Sequence, residues 1–99
     1  MNKQKVSNLL GLAQRAGKII SGEEMVVKAI QERKVRLVFL AHDASPNLTK
    51  KIQDKSHYYQ VEVITVFSTL ELSIAVGKSR KVLAVTDAGF TKKMRSLME

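Results

Sequence analysis

Residues 35 to 46 read VRLVFLAHDASP, and no other stretch of the chain says more about the fold class. The run 37 to 41 is short and apolar, which is typical of a strand buried on both faces. Ser45 is a good helix N-cap and Pro46 a favourable first helical residue, so a helix is predicted over residues 46 to 57. A buried strand that passes directly into a capped helix indicates an α/β protein.

The same alternation continues on both sides of this stretch. Four more helices are predicted: residues 3 to 16, residues 21 to 32 starting at Ser21, residues 68 to about 77 starting at the Ser68/Glu71 capping box, and a last helix capped by Asp87. Three further extended segments are predicted at 18 to 20, 61 to 66 and 82 to 86. The order α-β-α-β-α-β-α-β-α predicts one domain over residues 1 to 99. Right-handed crossovers then give a three-layer α/β/α sandwich around a four-stranded mixed sheet that is mainly parallel.

The charge balance points to a polyanionic partner. The chain has 17 Lys and Arg against 9 Asp and Glu, a formal net charge of +8. Basic side chains that neutralise phosphates release condensed counterions, which drives binding to nucleic acid whatever its base sequence. The alternative at this stage is that surplus lysine only keeps a small protein soluble.

Several classes of protein are disfavoured by composition. With no cysteine, the chain has no disulfide, thiolate metal site or thiol nucleophile. The N-terminal 20 residues lack a small-residue cleavage site, and no apolar run approaches the roughly 18 to 20 residues of a membrane span. We therefore expect a soluble cytoplasmic protein that does not associate with membranes.

Residues that could carry catalysis are sparse. His42 and His57 have no evident nucleophile beside them, and no phosphate-binding G-x-x-x-x-G-K-[ST] loop occurs. Asp43 and Asp87 each follow a predicted strand, as in a Mg²⁺ pocket, but such a site needs more converging carboxylates, and Asp87 also suits a helix cap. The sequence predicts a protein that is not an enzyme and that has no metal or cofactor.

Two segments carry the candidate binding residues. In SGEEMVVKAI, residues 21 to 30, Ser21 and Glu24 match a capping box and Glu24 is spaced to pair with Lys28. In KSRK, residues 78 to 81, the basic side chains fall between a helix end and a buried strand, so they are predicted to form an exposed loop. The basic pairs elsewhere are interpreted as solvated helix faces.

Three blocks of the chain, in order, resemble the superfamily of ribosomal proteins L7Ae and L30e. The first block is GEEMVVKAI at 22 to 30, which is similar to the family's G-x-N-E-x-x-K-x-[IV]. The second is VRLVFLAHDASP at 35 to 46, which is similar to the family's strand followed by A-x-D-x-x-P. The third, residues 63 to 85, is similar to the family's strand, L-G-x-A-x-G helix and RNA-contacting loop. The compact form is most similar to bacterial stand-alone members of the YlxQ type. The resemblance implies an α/β/α domain that binds kink-turn RNA.

The resemblance also implies a set of RNA-binding residues. Gly22 and Lys28 match the family's helix that enters the RNA groove, and Arg80 matches a loop position that covers the bulged nucleotides, with Lys78 and Ser79 beside it. Val82 is either a contact for a splayed base or a core residue of the strand.

This chain also departs from the family pattern. The family's Asn-Glu pair falls on Glu24 and Met25, which removes an amide donor and leaves the preferred RNA open. Ser73 replaces the second glycine of the helix motif, which we expect to be only a difference in packing.

The implied partner is a structured RNA with a three-nucleotide bulge and tandem G·A pairs, in ribosomal RNA or an mRNA leader, bound by a monomer. Two alternatives remain open. In the first, the chain is a protein-interaction module of a ribonucleoprotein that has lost specific RNA readout through Glu24 and Met25. In the second, it is a fragment of an RNA methyltransferase, for which the chain has no room for a cofactor domain.

Overall fold

The computed structural model describes residues 1–99 and contains the nine elements in the predicted order. Their bounds are α1 Lys3–Arg15, β1 Ile19–Ser21, α2 Glu23–Gln31, β2 Leu37–Leu40, α3 Pro46–Tyr58, β3 Glu62–Ile64, α4 Thr69–Val76, β4 Val82–Val85 and α5 Ala88–Met98. Most boundaries lie within a residue or two of the predicted ones. The third strand is shorter than the predicted segment 61 to 66, by one residue at its start and two at its end.

The four strands form one mixed sheet in the order β1-β4-β2-β3. Strand β4 lies between β1 and β2 and is antiparallel to both, whereas β2 and β3 are parallel. The prediction of a mixed sheet is confirmed, but the expectation that it is mainly parallel is wrong, since two of its three pairings are antiparallel. After α4, strand β4 enters the middle of the sheet and runs in the direction opposite to β2 and β3. The alternation of helices and strands in the sequence does not reveal this direction.

Alternate side chains of the two central strands pack on opposite faces of the sheet, as the pleat requires. Leu37 and Phe39 join the core cluster formed with α1, α4 and α5, while Val38 and Leu40 join the cluster formed with α2 and α3. Strand β4 divides in the same way. Helices therefore cover both faces, and the three-layer α/β/α architecture is confirmed. No helix is both long and apolar enough to cross a membrane.

The two carboxylates considered for a Mg²⁺ pocket lie at opposite ends of the sheet, because β2 and β4 are antiparallel. Asp87 caps α5 by accepting the N–H of Phe90 at 2.8 Å. Asp43 accepts the N–H and the hydroxyl of Thr69 at 2.9 and 2.7 Å. Each carboxylate thus serves the start of a helix, and no group of three His, Cys, Asp or Glu side chains is placed to hold a metal ion.

Candidate nucleic-acid interface

The start of α2 has no side-chain cap. Gly22 occupies the N-cap position with φ 93° and ψ 150°, and its N–H donates to the carbonyl of Val82 at 3.2 Å. Ser21 belongs to β1, where it pairs with Leu83. The predicted capping box of Ser21 and Glu24 is therefore wrong, because β1 runs one residue further than expected and places the serine in the sheet.

The other four helices differ from α2 in this respect. Asn2, Ser45, Ser68 and Asp87 each accept a backbone N–H in the first turn, and Ser68 with Glu71 forms the predicted capping box. In α2 the first intrahelical bond runs from Val26 to Gly22, and the N–H groups of residues 23 to 25 have no acceptor in the protein. Such free amides, at the positive end of the helix dipole, can bind phosphate oxygens.

The space in front of this helix start is open. A Cβ placed on Gly22 would have no atom within 4 Å. The glycine is required by its backbone angles, which other residues rarely adopt, and not by crowding within the protein. A ligand can therefore approach the backbone closely at Gly22.

The exposed face of α2 carries three of the predicted RNA-binding side chains. Glu24, Met25 and Lys28 all point to solvent, and Met25 is 57% exposed. Val26 and Ile30 on the opposite face are fully buried and fix the orientation of the helix. The expected ion pair between Glu24 and Lys28 is absent from the structure, and neither side chain forms another ion pair.

Glu23, the other acid of this turn, has a partner on α3. Its Oε2 accepts a hydrogen bond from Lys51 Nζ at 2.8 Å, and this bond raises the pKa of Lys51. The basic pair at residues 50 and 51 is thus engaged in ion pairs, since Lys50 also binds Asp54 at 2.8 Å.

The loop of residues 77 to 81 is held by a serine of α4. Gly77 ends the helix in the left-handed conformation with φ 79°. The Ser73 hydroxyl then accepts the N–H of Arg80 at 3.0 Å and donates to the carbonyl of Arg80 at 3.3 Å. The expectation that Ser73 is only a packing difference is wrong, since no glycine could make these bonds.

The side chain of Arg80 joins this loop to the start of α2. Its Nε donates to the Ser21 hydroxyl at 2.9 Å, and its Nη1 donates to the carbonyl of Ser79 at 2.7 Å. A guanidinium has five N–H donors, so three remain for a ligand. Ser21 directly precedes Gly22, and the two predicted RNA-contacting elements therefore lie side by side.

The structure separates Val82 from the other candidates. Its side chain is 1% exposed and belongs to the core cluster under α2 and α3. Of the two roles left open for this residue, the structure favours the core one. Lys78 and Ser79 are exposed, as the prediction of a surface loop requires.

Sequence reasoning missed an apolar patch next to the loop. Leu70 and Ile74 are 68% and 71% exposed on α4, beside a depression that Ser73, Lys78 and Ser79 also line. The signal was present in TLELSIAV, because the i, i+4 pair of Leu70 and Ile74 is out of phase with the buried residues of this helix.

Positive charge at the two elements is not neutralised within the protein. None of the five ion pairs of the structure includes the cations of these elements, which are Lys28, Lys78, Arg80 and Lys81. The nearest acid at the depression, Asp43, has its pKa lowered by the hydroxyl and amide of Thr69, so it stays ionised at neutral pH. The interface therefore combines free amides, free cations and exposed apolar side chains.

Comparisons with known proteins agree with this architecture. The model of the ribosomal protein L7Ae/L30e/S12e/Gadd45 family matches residues 4–95. The chain is 49% identical over 98 residues to the RNA-binding protein YlxQ of Enterococcus faecium, covering 99% of this chain and 95% of that protein. It is 48% identical over 92 residues to the RNA-binding protein YlxQ of Bacillus subtilis (strain 168), covering 92% of each.

Two solved structures have the same fold. A protein of unknown function from Bacillus halodurans C superposes with a TM-score of 0.90 at 45% identity, covering 95% of this chain and 96% of that one. The Giardia lamblia 15.5kD RNA binding protein superposes with a TM-score of 0.83 at 18% identity, covering 98% and 85%, and supports the fold alone. The family match and the bacterial relatives together show that the chain belongs to the ribosomal protein L7Ae/L30e/S12e/Gadd45 family, as a bacterial member of the YlxQ type.

Proposed function

We propose that this protein binds RNA through the start of α2 and the loop 77 to 81, and that its preferred RNA is a kink-turn with a three-nucleotide bulge and tandem G·A pairs. Family membership indicates a non-enzymatic protein. The RNA binding stated in the names of two relatives, each nearly half identical to this chain, supports the first part. We place the protein in the bacterial cytoplasm as a monomer, on ribosomal RNA or an mRNA leader.

One observation carries the proposal for a kinked RNA: the Arg80 side chain ties the loop to Ser21, next to the uncapped helix start at Gly22. A straight duplex presents its grooves and phosphates at a regular spacing. A kinked RNA brings a groove and splayed bases to adjacent positions, which suits a helix start and a basic loop that lie beside each other.

Each part of the interface has a role in this proposal. The amides of residues 23 to 25 bind phosphate oxygens, and Gly22 allows the backbone of the RNA to come close. Lys28 reaches a phosphate or a guanine acceptor, while Glu24 can accept from guanine N–H groups. Arg80, held by two hydrogen bonds, presents its remaining donors to the bulged nucleotides.

The proposal is tested by removing single charges. Lys28→Ala and Arg80→Ala should each weaken binding to a bulged RNA with tandem G·A pairs by about tenfold or more, since a hydrogen bond to a charged group is worth roughly 1.5–3 kcal/mol. Lys93→Ala is the control, because Lys93 is also cationic but is exposed on α5, which packs on the face of the sheet opposite α2. It should reduce affinity only through the general electrostatic contribution.

The same titrations address the alternative function. A protein-interaction module without specific RNA readout would show equal, small losses for Lys28→Ala, Arg80→Ala and Lys93→Ala. That result would overturn RNA recognition by α2 and the loop, and would leave general electrostatic attachment.

A further inference from the structure

An exposed aromatic side chain lies at the far end of the helix pair α2 and α3. Tyr58, the last residue of α3, is 76% exposed, more than any other large apolar or aromatic side chain of the protein. The ring of Tyr59 lies edge-on to it, with 4.9 Å between ring centroids and an interplanar angle of 72°. A flat ring surface is thus presented to solvent at a defined place.

The adjacent ring of Tyr59 is held in place by its own contacts. Tyr59 is half-buried and packs against the core cluster of α2 and α3. The guanidinium carbon of Arg33 lies 5.1 Å from the centroid of the Tyr59 ring, a cation–π contact. Arg33 adopts a left-handed conformation with φ 58°, which is uncommon outside glycine and places this side chain over the ring.

Charge around the rings is positive. The open depression beside Tyr58 is lined by Lys51, Asp54, Lys55, Tyr58 and Tyr59. Asp54 is paired with Lys50 and Lys51 with Glu23, whereas Lys55 and Arg33 have no carboxylate within 4.0 Å. Lys55 therefore shares a depression with the exposed ring of Tyr58, and Arg33 lies over the adjacent ring of Tyr59.

The position of this cluster relates it to the helix start at Gly22. Lys51 of α3 contacts Glu23 at the beginning of α2, and Arg33 contacts Tyr59 just beyond the ends of the two helices. The helices thus run side by side in the same direction. The nine residues of α2 span about 13 Å along the helix axis, a length of only a few nucleotides.

We propose that Tyr58, with Lys55 and Arg33, forms a second RNA-binding site, which takes an unpaired nucleotide from a single-stranded segment. The base stacks on the exposed ring of Tyr58, and the phosphates meet Lys55 and Arg33. Stacking on an aromatic ring beside a cationic track is the usual chemistry of single-strand binding, and it tolerates any base. The idea that this site extends the kink-turn interface rests on the proposed function. The binding of a free single strand at this site does not depend on it.

Composition supplies a specific probe of this site. The chain has two tyrosines and no tryptophan, and both tyrosines are in the cluster. A base that stacks on Tyr58 should quench the intrinsic tyrosine fluorescence. We expect decauridine to quench it saturably, and a blunt kink-turn RNA without a single-stranded extension to quench it far less.

Affinities come from anisotropy of labelled decauridine and of kink-turn RNA with or without a six-nucleotide uridine extension at either end. Tyr58→Ala should weaken the binding of decauridine by about five- to 150-fold. It should also abolish the increase in affinity that the uridine extension gives to kink-turn RNA. Tyr58→Phe, which keeps the ring, should restore most of the binding, and Lys55→Ala should lower it. Because Tyr58 is exposed, circular dichroism of all variants should match the wild type.

The outcomes separate the two sites. The second site would be overturned if wild type and Tyr58→Ala bound decauridine and the extended RNA with equal affinity, or if decauridine did not quench the tyrosine fluorescence. The cluster would then be a contact for a protein or a surface without a binding role. Blunt kink-turn RNA should bind wild type and Tyr58→Ala alike. Failure of that RNA to bind at all, with decauridine still bound through Tyr58, would overturn the proposed function and not this site.

Discussion

Substitution of Ser73 by alanine isolates the bond that holds the loop 77 to 81. The hydroxyl makes two hydrogen bonds to the backbone of Arg80, one of 3.0 Å and a longer one of 3.3 Å. The half-buried position lets water replace part of this pairing, so we expect the loss to be that of about one neutral hydrogen bond, roughly 1 kcal/mol. Alanine is a better helix former than serine by up to about 0.5 kcal/mol, which opposes the loss.

Ser7→Ala is the matched control for this substitution. Ser7 is also half-buried and lies inside a helix, α1, but makes no hydrogen bond through its hydroxyl. Both variants gain helix propensity, so the difference between them measures the bonds to Arg80. Thermal unfolding should place Ser73→Ala about 4–8 °C below Ser7→Ala, the shift expected for about 1 kcal/mol in a domain of this size.

The second readout of Ser73→Ala is RNA affinity. A loop that is less ordered before binding must be ordered on binding, at roughly 0.5–1.5 kcal/mol for an immobilised side chain such as Arg80. Affinity for a bulged RNA should therefore fall by about two- to tenfold, while Ser7→Ala should bind as the wild type does. If Ser73→Ala matches Ser7→Ala in both melting temperature and RNA affinity, Ser73 does not organise the loop.

The remaining predictions concern the backbone of the helix start and the carboxylates near the loop. Gly22→Ala and Gly17→Ala, on either side of β1, should each lower the free energy of unfolding by about 1–3 kcal/mol, because both glycines have positive φ. An added Cβ would meet no atom within 4 Å at either position, so the two substitutions are matched. Only Gly22→Ala should also weaken RNA binding, and equal RNA affinities of the two variants would contradict the role given to Gly22. Hydrogen bonds from Thr69 to Asp43, and from the Ser68 amide and Lys3 to Glu71, lower the pKa of each carboxyl below its ordinary value of 3.8 or 4.5. Stability from a lowered pKa is complete above the ordinary value and is lost as the pH falls through the folded-state value, so melting temperatures should fall below about pH 5. Asp43→Asn and Glu71→Gln should make that fall shallower, and slopes identical to the wild type would exclude these carboxyls as its source.

Sequence patterns predicted the elements well because their determinants are local. The apolar run before Ala41, the Ser45 cap with Pro46, and the Ser68/Glu71 capping box each lie within a few residues, and all three appear in the structure. The pairing of strands was harder to predict. Strand β4 enters between β1 and β2, and that choice depends on contacts between residues more than 40 positions apart.

The candidate site shows the same division between local and distant causes. Ser21 matched a capping box by spacing, yet its hydroxyl accepts a bond from Arg80, 59 positions away, and Gly22 takes the cap position. Local sequence patterns do not reveal the role of Ser73 for the same reason, because its partner is a backbone group beyond the helix end. Exposure of Glu24, Met25 and Lys28 followed from helix periodicity and could be anticipated.

The most direct test of RNA recognition compares two RNAs of equal length and charge. One is a duplex with a three-nucleotide bulge and tandem G·A pairs, and the other has the same number of nucleotides without the bulge or the G·A pairs. Affinities are measured for both across a series of salt concentrations. Counterion release weakens both as salt rises, but it cannot produce a difference between them. We expect a preference for the bulged RNA of at least about tenfold at every salt concentration, which is the value of one good polar contact. Equal affinities throughout the series would contradict it.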